Sequence, residues 1–353
     1  MKKQKQVTVN QHYVPQFYLK HFSYENKKGK KCIDVLDLDL NKTLKKQRIE
    51  NVASENYFYD IDLEHYLKDT SSFKKIIISI FLKFIFGIKF KLSSFKRLNI
   101  VEHKLGNIES KASPILVELI DKANGYTLWE IENCYLISDE NKLYLSLYLA
   151  IQFLRTPKTR QTIYEVNTYL KPKLIKEFHY RESGEILELN DLIEEINKEN
   201  IKQQHLDFFH DNSSNEMANV FYKHSWIFYK NTTDVDFITS DSPISIRLAH
   251  DETLMSYGGI NSSGVMILFP ISKKLLLVMY QEDLNQSAYN RKLMICSDPE
   301  VVEAYNTVIF LNCHRFLYGQ EKELRKFDDY VELHRKSTDP KMVIANSMIP
   351  EDK

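Results

Sequence analysis

The stretch Asp139–Thr156, DENKLYLSLYLAIQFLRT, decides how the chain is read. Its leucines, with Ile151 and Phe153, point in nearly every direction around a 3.6-residue turn, which predicts a helix buried on most sides. Tyr144, Tyr148, Gln152 and Arg155 fall at i, i+4, i+8 and i+11 and so share one stripe. A guanidinium buried there without a partner costs several kcal/mol. A carboxylate or an anionic ligand is therefore expected to face the stripe.

Working toward the N-terminus, Asn99–Asn124 is the next helix. Val101, Leu105, Ala112, Leu116 and Leu119 fall on one face, and Asn124-Gly125 supplies the stop. Pro114 after Ser113 implies a kink or a restart. Glu109 lies at the edge of the apolar face and is the first candidate partner for Arg155. Upstream, Lys75, Ser79 and Lys83 mark a narrow polar stripe inside KKIIISIFLKFIFGI. The run is too short and interrupted for a spanning helix, which needs about 20 apolar residues. Residues 73–92 are expected as a buried helix or as a contact for a partner or a membrane surface. Earlier still, CIDVLDLDL alternates as a half-buried strand, TLKKQRI pairs back across Asn41-Lys42, and NYFYDI follows as a short third strand.

Toward the C-terminus, WIFYKN, DFITSD, ISIRL, VMILFPI and KLLLVMY are rich in β-branched and aromatic residues and predict strands. A hairpin is expected at Ser272-Lys273. Asp298-Pro299 opens a helix, and RFLYGQ is the last strand. The order is β, then α, then β with one late helix. It predicts an α+β fold in which N-terminal strands and a mainly antiparallel C-terminal sheet pack against a central helical block. The expected blocks are 1–62, 63–222 and 223–330, the first and third forming one composite domain, with 331–353 as a tail.

The 353 residues balance 48 Lys and Arg against 48 Asp and Glu, so net charge points to no class of partner. Cys32, Cys134, Cys296 and Cys313 show no C-x-x-C spacing and are expected to be free thiols. The basic N-terminus has no apolar run behind it, so no signal peptide is expected and the protein reads as cytoplasmic.

Two further segments concentrate polar groups. NQHYVPQFYLKHF, Asn10–Phe22, places His12 ahead of Pro15, which imposes an extended approach. FITSDSPI runs an apolar strand into Ser240 and Asp241, either an Asx-turn or a carboxylate and hydroxyl exposed at a strand end. Together with ENYFYD and AIQFLRTPKTR, these segments resemble the bacterial family called domain of unknown function 4238, in order and spacing from about Asn10 to Gly319. The resemblance implies that His12, Gln152, Arg155, Ser240 and Asp241 belong to the family pattern, with Glu55 and Glu109 less surely placed; it carries no activity.

Because that pattern contains His, Gln, Arg and Asp rather than only apolar residues, the groups are expected to converge on one pocket. In the enzymatic reading, a hydrolase or transferase acts on a phosphate-containing substrate such as a nucleotide or nucleic acid. Arg155 and Gln152 grip phosphate, helped by Tyr148 and Ser240. Asp241 with Glu109 or Glu55 holds a divalent metal, and His12 is the base or acid. A nuclease role in phage defence is compatible with this reading, but no residue specifies it. In the alternative, the pocket recognises an anionic ligand without turnover, or the polar residues form a structural network.

Overall fold

The long helix of the central block forms because its ends are written in side chains. Ser138 accepts a hydrogen bond from the Asn141 N–H, and Asp139 and Glu140 occupy the positive first turn. Two residues past the helix's last residue, Leu154, Thr156 caps a new helix by accepting from the Thr159 N–H, with Pro157 in its first turn.

The computed structural model describes residues 9–59, 61–62, 97–98, 100–184, 198–209, 212–248, 259–281 and 286–337. The apolar segment 73–92 lies outside the described residues. The chain begins with β1 (Asn10–His12), α1 (Gln16–Leu19), β2 (Tyr24–Glu25), β3 (Lys31–Asp37), β4 (Lys42–Arg48), β5 (Ser54–Asn56) and β6 (Ile61–Asp62). After β7 (Arg97–Leu98) come α2 (Ile100–Gly125), α3 (Leu128–Asn133), α4 (Asp139–Leu154) and α5 (Pro157–Glu165). A π-helical turn at Val166–Leu170 leads into α6 (Lys171–Ser183), followed by α7 (Lys198–Asp207) and α8 (Ser213–Lys223). The chain continues through β8 (Ser225–Asn231), β9 (Thr239–Ser240), β10 (Ser245–Leu248), β11 (Val265–Ser272), β12 (Leu275–Tyr280) and β13 (Leu293–Cys296). It then forms α9 (Pro299–Asn312), β14 (Phe316–Gly319), α10 (Glu321–Leu324) and α11 (Val331–Ser337).

The fold is α+β. One five-stranded sheet has the order β10-β11-β12-β8-β13 and is antiparallel except for the β8–β13 pair. The other joins the two chain ends, in the order β2-β3-β14-β9 with β4 on β3. The first sheet is buried on both faces. Along β12, Leu275, Leu277 and Met279 enter the main core beneath the helices, while Leu276, Val278 and Tyr280 enter a second core with Val302 and Val308 of α9. That two-sided burial is why KLLLVMY is continuously apolar although its side chains alternate. The helix α4 packs between α2 and α8 against the main core.

Several local expectations change. Pro114 does not restart its helix: α2 runs from Ile100 to Gly125 with the proline inside it. The lost backbone hydrogen bond is outweighed by the buried face of Ala112, Ile115, Leu116 and Leu119. NYFYDI is not one strand; β5 ends at Asn56, and Tyr57 takes a left-handed φ of 58°. CIDVLDLDL is buried through Asp37 on both sides rather than half-buried, because β3 is flanked by Ile33 and Val35 in the main core and Leu36 in another. The hairpin turns one residue later than expected, at Lys273-Lys274. Residues 331–337, in the expected tail, form α11, with Val331 and His334 buried.

Candidate functional site

The N-terminal motif meets the end of α4. Arg155 sits just past that helix, 2% exposed. Its Nη1 donates to Glu109 Oε1 at 2.6 Å, its Nη2 to the His12 carbonyl at 2.5 Å, and its Nε to the Tyr59 hydroxyl at 3.3 Å. Tyr59 returns a hydrogen bond to the Arg155 carbonyl at 2.8 Å. Glu109, the carboxylate expected to face the stripe, does so. Although burial opposes it, the Tyr59 and Glu109 partners hold the guanidinium firmly charged. Gln152 donates from Nε2 to the Tyr13 carbonyl at 3.0 Å, and Gln11 Oε1 accepts from the Tyr59 N–H at 2.6 Å. Arg155 thus holds the His12 carbonyl of β1 and Gln152 the next carbonyl along, while the Gln11 side chain ties β1 to Tyr59.

His12 contributes its carbonyl to this cluster. Its ring lies beside Gln16, Nε2 to Nε2 at 3.4 Å. Burial, and then the Arg155 charge, lower its pKa, against Glu109, and so favour the neutral ring. Tyr148 points into the core between Phe17 and Phe269. Tyr144, the outer member of the stripe, is exposed, with Lys111 Nζ 5.0 Å from the centre of its ring.

Asp241 is positioned differently. Its Oδ1 accepts from the His314 N–H at 2.9 Å, and its Oδ2 from Arg315 and Phe316 at 2.7 and 2.9 Å. Burial pushes its carboxyl up, against His314 and these three donors, which favour the ionised form. Ser240 closes the adjacent turn: its hydroxyl donates to the Ser242 carbonyl at 2.8 Å and accepts from the Ser242 N–H at 3.0 Å. Asp241 lies within electrostatic reach of Tyr13, whose hydroxyl is pushed up by burial first and by Asp241 second. Glu55 is exposed on β5, opposite Gln11. His12, Glu109, Gln152 and Arg155 are therefore gathered together, and Ser240 and Asp241 form a second cluster. Glu55 stands outside both. Among the described residues, no three His, Cys, Asp or Glu side chains lie close enough to hold a metal ion.

A cavity of about 460 Å³ opens next to both clusters but is lined by none of these residues. It lies between the end of α4, α5, α7, α8 and the segment Ser242–Ile246. Its wall is mostly apolar, with Phe153, Leu154, Ile163, Met217, Ile244 and Ile246 prominent. Among the described residues, the charged member of the wall is Lys158, in the first turn of α5. Lys158 Nζ donates to the Asn312 carbonyl at 2.6 Å. Burial lowers its pKa, while Cys313, Asp241 and Glu165 oppose that shift. Val166 and Asn167, which open the π-helical turn, reach the rim, where Asn167 donates to Gln204 Oε1 at 2.7 Å.

The cavity wall and the polar clusters come from the same two segments. AIQFLRTPKTR supplies Gln152 and Arg155 to the first cluster, and Thr156, Lys158 and Thr159 to the cavity. FITSDSPI supplies Asp241 to the second cluster, and Ser242 and Ile244 to the cavity. The residues singled out in the sequence are thus sequence neighbours of residues in the cavity wall. The available signal was Thr156-Pro157-Lys158: a cap and proline start a new helix there, so the following side chains leave the axis of α4.

All four cysteines are free. No described helix is long and apolar enough to cross a membrane. The family described as "Protein of unknown function (DUF4238)" matches residues 10–323. No curated protein and no solved structure matches the chain.

Proposed function

From the chain's membership of the DUF4238 family, over residues 10–323, we propose a role built on its own geometry: it binds a small organic anion in the cavity beside Lys158, without turnover. The observation that carries this reading is that, among the described residues, the one charged side chain in the wall of a mostly apolar cavity is a lysine. Small-molecule sites are typically concave and apolar, with a few polar groups that fix orientation, and volumes of about 300–1,000 Å³ are usual. A partly buried ammonium loses hydration and regains it best from an anion.

Metal-assisted phosphodiester cleavage fits less well. It needs hard oxygen ligands open toward one point. Asp241 already accepts three backbone N–H bonds, and Glu109 is engaged by Arg155. The Arg155 cluster supports the structural half of the binding alternative, since it ties β1 to α2 and α4.

The test is a fluorescence titration with 1-anilinonaphthalene-8-sulfonate, which joins an apolar body to one anionic group. Saturable binding at one site per chain is expected, weakened about tenfold or more in Lys158→Gln and unchanged in the control Lys20→Gln, on the far N-terminal segment. Absence of saturable binding, or equal binding by Lys158→Gln, removes the reading.

A further inference from the structure

The donors and acceptors facing the cavity define its ligand more narrowly than charge does. Thr156 and Thr159 both donate their hydroxyl protons to the Phe153 carbonyl, at 3.2 and 2.7 Å. Thr162 donates its own to the Lys158 carbonyl at 3.0 Å. A hydroxyl has one proton, so these three threonines offer the cavity only lone pairs. The Asn312 amide is committed as well, donating to the Ile246 and Val308 carbonyls and accepting from the Ile246 N–H. Among the described residues, the donors left at this end are those of Lys158, one of whose three protons goes to the Asn312 carbonyl, and the Ser242 hydroxyl. Two or three donors suit the two oxygens of one carboxylate. A phosphate monoester or a diphosphate brings more charge and more acceptor oxygens, and those would meet threonine lone pairs and hydrocarbon. Away from Lys158 the apolar part of the wall is Ile163, Val166, Phe208 and Met217, beside the uncharged polar Asn167, Gln204 and Ser213.

We infer that the cavity takes an amphiphilic monocarboxylate, its head on Lys158 and Ser242 and its apolar body against Ile163, Phe208 and Met217. This rests on the reading of the cavity as a site for a small organic anion and names the class of that anion. The head group sits at the start of α5, where the helix end adds a favourable field. Orientation is thereby set, because the reverse placement would take a carboxylate away from the lysine to a part of the wall with no charged partner among the described residues.

The test uses the full chain and calorimetric titration with decanoate, decyl phosphate, decylammonium and inorganic phosphate. Decanoate is expected to bind at one site per chain, about tenfold or more tighter than decyl phosphate, with no measurable binding of decylammonium or inorganic phosphate. Lys158→Gln is expected to weaken decanoate about tenfold or more. Met217→Trp, which fills the apolar end and leaves the lysine in place, is expected to weaken it as well, so the outcome does not rest on one variant's folding. Decyl phosphate or inorganic phosphate binding as tightly as decanoate overturns the carboxylate assignment and leaves the anion site standing. Equal binding of decylammonium overturns the anionic head altogether. If no amphiphile and no anilinonaphthalene sulfonate binds, the underlying reading falls with it.

Discussion

Arg155 and Lys158 are three residues apart and belong to opposite regimes. Each nitrogen of Arg155 has an acceptor from the protein itself: Glu109, the His12 carbonyl and the Tyr59 hydroxyl. Among the described residues, Lys158 has one acceptor, the Asn312 carbonyl, and it lines a cavity. The same contrast separates Asp241, with both oxygens occupied, from Ser242, which lines the cavity. A polar side chain whose capacity is satisfied internally holds elements together. One with capacity left over, next to empty volume, can recognise something else.

The contrast is open to measurement, beginning with the strongest effect. Arg155→Met should destabilise the fold by about 3–5 kcal/mol, as breaking a buried pair from one side does. It releases β1 and leaves the His12 carbonyl and Glu109 without their partner. A change in unfolding free energy well below about 1 kcal/mol, measured by urea unfolding, would show that the cluster is not the clasp described. Next comes Asp241→Asn, which turns one acceptor oxygen into a donor facing backbone N–H groups. A loss of about 1–3 kcal/mol is expected from the same measurement.

A graded effect follows from His205, which joins α7 to the end of α4. Its Nδ1 accepts from Arg160 Nε at 3.3 Å, and its Nε2 faces the Leu154 carbonyl at 2.7 Å, a pairing that requires the neutral ring with the proton on Nε2. Burial first, and then the Arg160 charge, lower its pKa from 6.5 to about 3. The folded value lies below the unfolded one, so between them the unfolded chain binds more protons and stability rises with pH. The contribution is complete above about pH 6.5 and is lost as pH falls toward 3. The urea midpoint of the wild type should fall over that window more steeply than that of His205→Gln. Parallel curves would mean that the ring is not held neutral.

The smallest stability effect is expected at Lys158. Lys158→Gln should change the unfolding free energy by less than about 0.5–1 kcal/mol, because a partly buried charge and a single hydrogen bond are lost together. A loss as large as that of Arg155→Met would erase the distinction between the two residues and make Lys158 structural.

Much of the secondary structure was legible because its determinants are local. Asn124-Gly125 stops α2, Ser138 starts α4 and Asp298-Pro299 starts α9, each within a few residues of the signal it carries. Elements with weaker local marks were missed. The edge strand β13 is four residues long and half-exposed, and it pairs in parallel with β8 through a partner more than sixty positions away. The helix α8 falls inside the expected helical block but was not marked off as its own element, since it begins at Ser213 without a side-chain cap. NYFYDI has strand propensity, yet the Gln11 side chain takes the Tyr59 N–H that a strand partner would have used.

The candidate site was half legible. Its segments could be found from their unusual load of polar groups, and Glu109 could be assigned to Arg155 because both lay on predicted helix faces. Which polar groups were already satisfied could not be found, because the deciding partners are distant and largely backbone. Arg155 depends on the carbonyl of His12, 143 positions away, and Asp241 on N–H groups 73 to 75 positions later. A backbone amide or carbonyl has no identity in the sequence, since nearly every residue carries one.

By itself, then, the sequence determined the order of helices and strands, the α+β class and the segments where polarity concentrates, because periodicity, caps and turns act over a few residues. Tertiary structure alone decided that β3 from one end of the chain would pair with β14 from the other, and that Lys158 rather than Arg155 would face a cavity. Both outcomes depend on which remote groups packing brings within about 3 Å of each other, and no local pattern encodes that distance.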